Sequence, residues 1–169
     1  MLANLSKKVE FAANVSIIAI AVLLAVVLFR QALTVNVYPD NISNQDGQVG
    51  LRVSVPEIDW AHNKQTLLLA ISSTCRYCTE SSDFYKRLLK ETVNTRIVAV
   101  MPQEPTAAKE YLDKHAIPLN DIRQLALSSL GVTGTPTLIL VDTKGVVTGW
   151  WVGKLSPNQE AEVLGKVKS

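Results

Sequence analysis

Cys75 and Cys78 are the only thiols in a chain of 169 residues, and they stand three positions apart. Sulfurs at this spacing can exchange disulfides, ligate a metal, or hold a static crosslink. A structural zinc site needs four ligands. One Cys-x-x-Cys supplies two, and the only histidines, His62 and His115, lack finger-like spacing. Covalent haem needs a histidine directly after the second cysteine, where Thr79 stands. A static bridge would close a very short loop and gain little from it, since the entropic benefit grows with loop length. Reversible exchange is the expected chemistry, with the static bridge as its alternative, and no metal or other cofactor is expected.

Placement sharpens that expectation. Residues 66–71 (Thr-Leu-Leu-Leu-Ala-Ile) form a continuous apolar run, the pattern of a central strand buried on both faces. Ser72-Ser73-Thr74 ends it, and a helix is predicted from about Cys75 to Lys90, with Phe84, Tyr85, Leu88 and Leu89 on one side. Thiolate is the reactive form of cysteine, and the unpaired N–H groups of a helix N-terminus favour an anion. Cys75, in the first turn, is expected to be the exposed nucleophile. Cys78, one turn deeper, is expected to be the resolving thiol. Arg76 adds a positive charge expected to favour the Cys75 thiolate. Tyr77 either lines the site or packs on the helix.

Gly134-Thr135-Pro136-Thr137 is the second feature. Proline cannot donate to a sheet ladder, so Pro136 belongs at a strand start. A cis Thr135–Pro136 bond beside the cysteines is the functional alternative. By itself the motif is weak. It gains weight from the strand–Cys-x-x-Cys–helix some sixty residues earlier.

The remaining elements follow from periodicity and turn residues. Residues 51–55 alternate and predict a first strand; 96–101 and 137–141 read as buried strands. Pro105 opens a helix carrying Ala108, Tyr111, Leu112 and His115 on one stripe. Residues 122–130 predict a short helix closed by Gly131. Asp142-Thr143-Lys144-Gly145 is a turn, and 146–152 return as a hairpin partner in which one of Trp150 and Trp151 is core and the other exposed. Ser156, Pro157 and Gln159 spell cap, first helical position and capping box for a last helix. The order β-α-β-α-β-β-α gives an α/β fold.

The N-terminus reads differently. Residues 11–29 hold no charge over about 28 Å of helix, close to the hydrocarbon thickness of a bilayer. The run is longer than a signal peptide's apolar region and no small-x-small cleavage site follows it, so an uncleaved membrane anchor is expected. Lys7 and Lys8 precede the run and Arg30 follows it, which orients the N-terminus to the cytoplasm and the rest outside it. The expected organisation is a short segment at 1–10, an anchor at 11–30, a turn-rich tether at 31–49 and a folded domain at 50–169.

Composition narrows the function classes. A chain 47% hydrophobic and 19% charged packs a core and is not disordered. Its net charge of +2 resides in the first thirty residues, leaving 14 basic and 14 acidic groups in the remainder. A neutral domain has no electrostatic footprint for nucleic acid.

With Thr74-Cys75-Arg76-Tyr77-Cys78, Gly131-Val132-Thr133-Gly134-Thr135-Pro136-Thr137 and the closing hairpin and helix in hand, residues 50–168 resemble the thioredoxin superfamily. The anchor and the lead-in Val55-Pro56-Glu57-Ile58-Asp59 look most like its membrane-tethered, exported members related to cytochrome c maturation reductases. The resemblance implies a central mixed sheet flanked by helices behind an N-terminal transmembrane helix. It implies a redox-active Cys75/Cys78 pair and a cis Pro136, with the Thr135 backbone docking a substrate chain. The implied partners are a protein substrate carrying a disulfide or dithiol and a membrane electron-transfer protein; reduction is implied over oxidation. A thioredoxin-like binding module with a static disulfide is the alternative. Three positions depart from the family pattern: Thr74 replaces the usual Trp, Leu69 a buried Asp, and Ser81 a Glu of the tethered group. A peroxidase-type relative would need Pro where Leu68 stands.

Overall fold

The computed structural model describes residues 48–92 and 94–168, together with Ile20, Val22, Leu23 and Ala25. The chain divides into two compact units, one ending at Ile42 and one from Ser43 to Ser169. The four described residues of the first unit are helical and exposed. Most of the expected anchor, the segment at 1–10 and nearly all of the tether lie outside the described residues. Among those described, no helix is long and apolar enough to cross a membrane.

The second unit is built on a five-stranded sheet in the order β3-β2-β1-β4-β5. Its strands are β1 (Gln65–Ala70), β2 (Thr95–Met101), β3 (Ile122–Gln124), β4 (Thr137–Asp142) and β5 (Val147–Val152). Its helices are α1 (Arg76–Glu80), α2 (Ser82–Glu91), α3 (Pro105–Lys114) and α4 (Pro157–Lys168). β1 runs parallel to β2, and β2 to β3; β4 is antiparallel to β1 and to β5. The sheet is therefore mixed, as expected. Parallel pairing demands long crossovers, and α1–α2 and α3 supply them.

Strand alternation sorts the core into two layers. Leu67 and Leu69 of β1, Ile97, Ala99 and Met101 of β2, and Leu138 and Leu140 of β4 face the helices. There they meet Cys78, Tyr85, Leu88, Leu112, Val163 and Val167. Leu68, Ala70, Val98, Val100, Ile139 and Val141 face the opposite way, against Val55, Leu130 and Val132. A strand buried on both faces needs no polar alternation, which is why β1 reads as an unbroken apolar run.

Four expectations are corrected. Residues 51–55 form no strand; only Arg52 bridges to Val146. Pro56 and the left-handed Glu57, with φ of 63°, turn the chain away at once. Residues 122–130 are not a helix. Ile122–Gln124 join the edge of β2 and Leu127–Leu130 make one 3-10 turn, so sheet pairing overrides the helical spacing of the apolar residues. Gly131 does close that turn in the left-handed region, at φ 73°. The helix expected from Cys75 to Lys90 is two helices that meet at Ser81. The Ser81 hydroxyl donates to the Tyr77 carbonyl at 2.8 Å and the Ser82 hydroxyl to the Thr79 carbonyl, back-bonding that bends helices. Finally, Trp150 and Trp151 are both buried, in opposite layers, because β5 is covered on both faces.

The capping box of α4 is present: Ser156 Oγ faces the Gln159 N–H, and Gln159 Oε1 accepts from the Ser156 N–H at 2.9 Å. α4 packs beside α2, closing the helical layer over Cys78.

Candidate active site

β1 ends at the centre of the sheet, and the turn at residues 72–74 carries the chain from it into α1. Cys75 is the N-cap of α1. N-cap side chains accept from the backbone N–H two or three residues on, and here the acceptor is sulfur: Cys75 Sγ receives the Cys78 N–H at 3.0 Å. The two cysteines form a disulfide, with their Cα atoms 5.2 Å apart. Cys75 is half-buried, whereas Cys78 has no exposed surface and belongs to the helix-side core. The helix start thus brings one sulfur to the surface and sinks the other.

β4 brings up the second motif from sixty residues away. The Thr135–Pro136 peptide is cis. The Thr135 carbonyl oxygen lies 3.3 Å from Cys75 Sγ. Thr137 Oγ1 donates to the Gly134 carbonyl at 2.7 Å, and the Gly153 N–H donates to the Pro136 carbonyl at 2.7 Å, so both flanks of this loop are tied down. The structure therefore brings Cys75, Cys78, Thr135 and Pro136 together.

Arg76 and Tyr77 sit between the cysteines. Tyr77 is exposed and does not pack into the core. Arg76 does not point a free charge at the sulfurs. Its guanidinium pairs with Glu80 at 2.7 Å, which also raises the arginine above its ordinary value. Glu80 in turn takes Lys154 Nζ at 2.9 Å. Lys154 first, then Arg76, hold the Glu80 carboxyl below its usual range. Glu80 thus joins α1 to the loop after β5 and absorbs much of the Arg76 charge.

Leu69 is 1% exposed and shares the apolar layer with Cys78. Tyr85 is buried in the same layer, where burial raises its phenol well above the ordinary value. Tyr111 is raised by partial burial too, and its hydroxyl lies 3.3 Å from Thr79 Oγ1. Of the other residues weighed in the sequence, His62 is exposed at the end of a 3-10 turn, Trp60–His62, and paired with Asp59 at 2.7 Å, and His115 caps the end of α3. Among the described residues no group of three or more His, Cys, Asp or Glu side chains is arranged to hold a metal.

Sequence reading missed Gln103. It lies in the loop after β2, with Nε2 2.9 Å from Ser72 Oγ and Oε1 3.4 Å from the Ser73 N–H. Its signal was weak, a single amide in a polar loop, and its role depends on β1 and β2 ending side by side.

This arrangement can do thiol–disulfide chemistry: a surface sulfur facing a backbone N–H, a buried sulfur within bonding distance of it, and a backbone edge at Thr135 beside the surface sulfur. Comparison with known proteins agrees with that geometry. Residues 60–168 match the model of a thioredoxin-like domain. No curated protein matches the sequence. Among solved structures, a thiol:disulfide interchange protein from Bacteroides sp. is similar at 16% identity and TM-score 0.53, over 73% of this chain and 90% of that one. A putative thiol:disulfide interchange protein DsbE from Chlorobium tepidum is similar at 20% identity and TM-score 0.51, over 72% and 93%. A secreted disulfide oxidoreductase of Mycobacterium tuberculosis is similar at 14% identity and TM-score 0.50, over 62% and 80%. At these identities the likeness is one of fold. The family match spans most of the chain and the whole of the site, and the chain accordingly belongs to the thioredoxin-like family, with its Cys-x-x-Cys pair at Cys75 and Cys78.

Proposed function

We propose that this protein exchanges disulfides with protein substrates outside the cytoplasm, held at the membrane by residues 11–29 and working more as a reductase than as an oxidase. The observation that carries the chemistry is the asymmetry of the pair: Cys75 half-buried with its sulfur facing the Cys78 N–H, Cys78 fully buried behind it. As a reductase, the Cys75 thiolate attacks one sulfur of the substrate disulfide. That S–S bond breaks, a mixed disulfide forms, and the substrate's other sulfur leaves with the electron pair and takes up a proton. Cys78 then gives up its proton and attacks Cys75 Sγ. The second substrate sulfur leaves as a thiolate and is protonated, and the Cys75–Cys78 disulfide remains. Two electrons and two protons have passed to the substrate. A separate dithiol partner, reached through the membrane, must return them; oxidation of a substrate runs the same steps backwards.

Thr135 supports docking, since its carbonyl borders Cys75 and an extended substrate chain can pair with the backbone there. Arg76 and Tyr77, the most exposed side chains between the cysteines, are the groups a substrate meets first. Exported location is supported by the charge-free run at 11–29 with Lys7 and Lys8 before it, and by the fold shared with a secreted M. tuberculosis oxidoreductase. The test is Cys78→Ser in the full chain, which should trap a mixed disulfide through Cys75. If neither single cysteine variant captures a partner while both are folded, the proposal fails.

A second reading has its own support. Leu69 places no carboxylate in the layer that holds Cys78, and a fully buried resolving thiol without one loses its proton with difficulty. On this reading the domain binds a partner and its disulfide is static. The reduction potential separates the two readings.

A further inference from the structure

The turn that delivers Cys75 is held from outside the Cys-x-x-Cys segment. The pairing register of β1 with β2 closes at Ala70 and Val100. The Ile71 N–H adds a last bond to the Val100 carbonyl at 3.1 Å, after which the Met101 carbonyl serves the other side and takes the Leu125 N–H at 3.0 Å. Gln103, in the loop between β2 and α3, continues the link by its side chain. Its amide carries a C=O and an N–H, as a peptide group does. The Ser73 backbone N–H, 3.4 Å away, can only donate, so the atom facing it is the carbonyl oxygen Oε1. Nε2 then donates to Ser72 Oγ at 2.9 Å. Ser72, Ser73 and Gln103 are half-buried, so water reaches these bonds only in part. The Ser72 carbonyl in turn accepts the Cys75 N–H at 3.1 Å. Two bonded steps thus run from Gln103 to the backbone of the surface cysteine.

We propose that Gln103 is a positioning residue for closure of the Cys75–Cys78 disulfide: by fixing the turn at Ser72 and Ser73 it keeps the two sulfurs in register while they are not bonded to each other. The inference rests on the reading of Cys75 and Cys78 as an exchanging pair. In the closed form the sulfur–sulfur bond itself ties Cys75 to α1. When that bond opens, Cys75 is held by its N–H on Ser72, by its carbonyl under the Thr79 N–H at 3.3 Å, and by its sulfur under the Cys78 N–H at 3.0 Å. A turn freed from Gln103 gains more freedom in the open form than in the crosslinked one, and closing the ring must remove that freedom again. Two groups held in register behave as if highly concentrated, and loosening one of them forfeits that advantage. Gln103 therefore favours the disulfide over the dithiol. It also speeds the step in which Cys78 gives up its proton and attacks Cys75 Sγ, breaking the mixed disulfide and releasing the bound thiolate, which takes up a proton.

The experiment uses the full-length protein and glutathione. Two glutathione thiols give two electrons and two protons to the Cys75–Cys78 bond and leave as their own disulfide, so the equilibrium constant reads closure directly. Gln103→Met keeps the length and bulk and removes both bonds. It is expected to make closure about threefold to tenfold less favourable, a less negative potential by at most about 30 mV. With oxidised glutathione added to the dithiol, mass spectrometry should show the Cys75–glutathione adduct closing more slowly by a similar factor. A residue that only supports the fold weakens both redox forms alike and leaves the potential where it was. Ser72→Ala removes the oxygen that Nε2 reaches and is expected to shift the potential in the same direction; it decides the matter if Gln103→Met does not fold. Made on top of Gln103→Met, it should shift the potential less than it does in wild type. An unchanged or more negative potential, an adduct that closes at the wild-type rate, or fully additive shifts overturns the inference. Wild-type protein that equilibrates with glutathione but exchanges with no protein disulfide strikes the parent reading alone, because the effect of Gln103 is read on glutathione.

Discussion

The backbone N–H of Cys78 donates to the sulfur of Cys75 across 3.0 Å. The relation is one-sided: Cys75 takes the helix-start donor, while Cys78 supplies it and lies fully buried. In reduced protein Cys75 is therefore expected to react with a small alkylating agent at least about tenfold faster than Cys78, since reactivity follows thiolate fraction and access. Mass spectrometry of partly labelled protein checks this. Equal labelling of the two sulfurs would contradict the assignment of roles.

Glu80 restrains the one cation between the cysteines. It binds Arg76 at 2.7 Å and Lys154 at 2.9 Å. Glu80→Gln releases a positive charge next to Cys75, and a severalfold faster alkylation of Cys75 is expected at low ionic strength. The gain should shrink at 1 M salt, where the screening length falls to about 3 Å. Alkylation rates at two salt concentrations test it; a variant that is no faster at low salt shows that Arg76 does not act on the sulfur.

Leu69 fills the position behind Cys78 with apolar bulk. Leu69→Ala should destabilise the fold by about 2–5 kcal/mol, the range for opening a cavity in a packed core. Leu69→Asp buries a carboxyl in the same layer, where burial favours its neutral form. Its folded pKa is then above the unfolded one, so the variant loses stability as pH rises between them. Urea denaturation at pH 5 and pH 7 should find Leu69→Asp weaker at pH 7, relative to wild type. Equal losses at both would show that water or a partner reaches the site.

The β4–β5 turn carries a pH-dependent clasp of its own. Asp142 Oδ1 accepts the N–H of Lys144 at 2.8 Å and of Val146 at 2.9 Å. The Val146 bond is the larger cause holding the carboxyl below its ordinary value of 3.8. A depressed folded pKa stabilises the protein above the unfolded value, and that contribution disappears as pH falls through the folded one. Asp142→Asn keeps an acceptor oxygen and should flatten this part of the acid limb below about pH 4. Asp142→Ala removes the acceptor and should cost about 1 kcal/mol at neutral pH. Thermal melts from pH 2 to 7 test both; an unchanged acid limb in Asp142→Asn rules the clasp out.

The parts of the site that local chemistry determines were legible before any coordinates. Cys75 and Cys78 announced themselves by type and spacing, β1 by its unbroken apolar run, Pro136 by its place before a strand, and α4 by its capping box. Most of the misses have a different cause. Residues 122–130 have helical spacing, yet the free edge of β2 recruits Ile122–Gln124. Trp150 and Trp151 cannot both be judged core until both faces of β5 are known to be covered. Two misses are local: two serine hydroxyls turn back on their own helix to break it at Ser81, and Glu80 stands four residues after Arg76 and takes its charge. Gln103 meets Ser72 only because β1 and β2 end together. The edge pairing of β3, the two buried tryptophans and Gln103 depend on which segments become neighbours, information that no local pattern carries.

The reduction potential of the Cys75/Cys78 couple, measured by equilibration of the full-length protein with glutathione or dithiothreitol buffers, tests the central claim most directly. A pair that opens and closes in turnover should fall between about −120 and −270 mV, the span of disulfide-exchanging proteins. A potential below about −300 mV would mark a bridge that stays shut, and the account of Cys75 as a working nucleophile would be wrong.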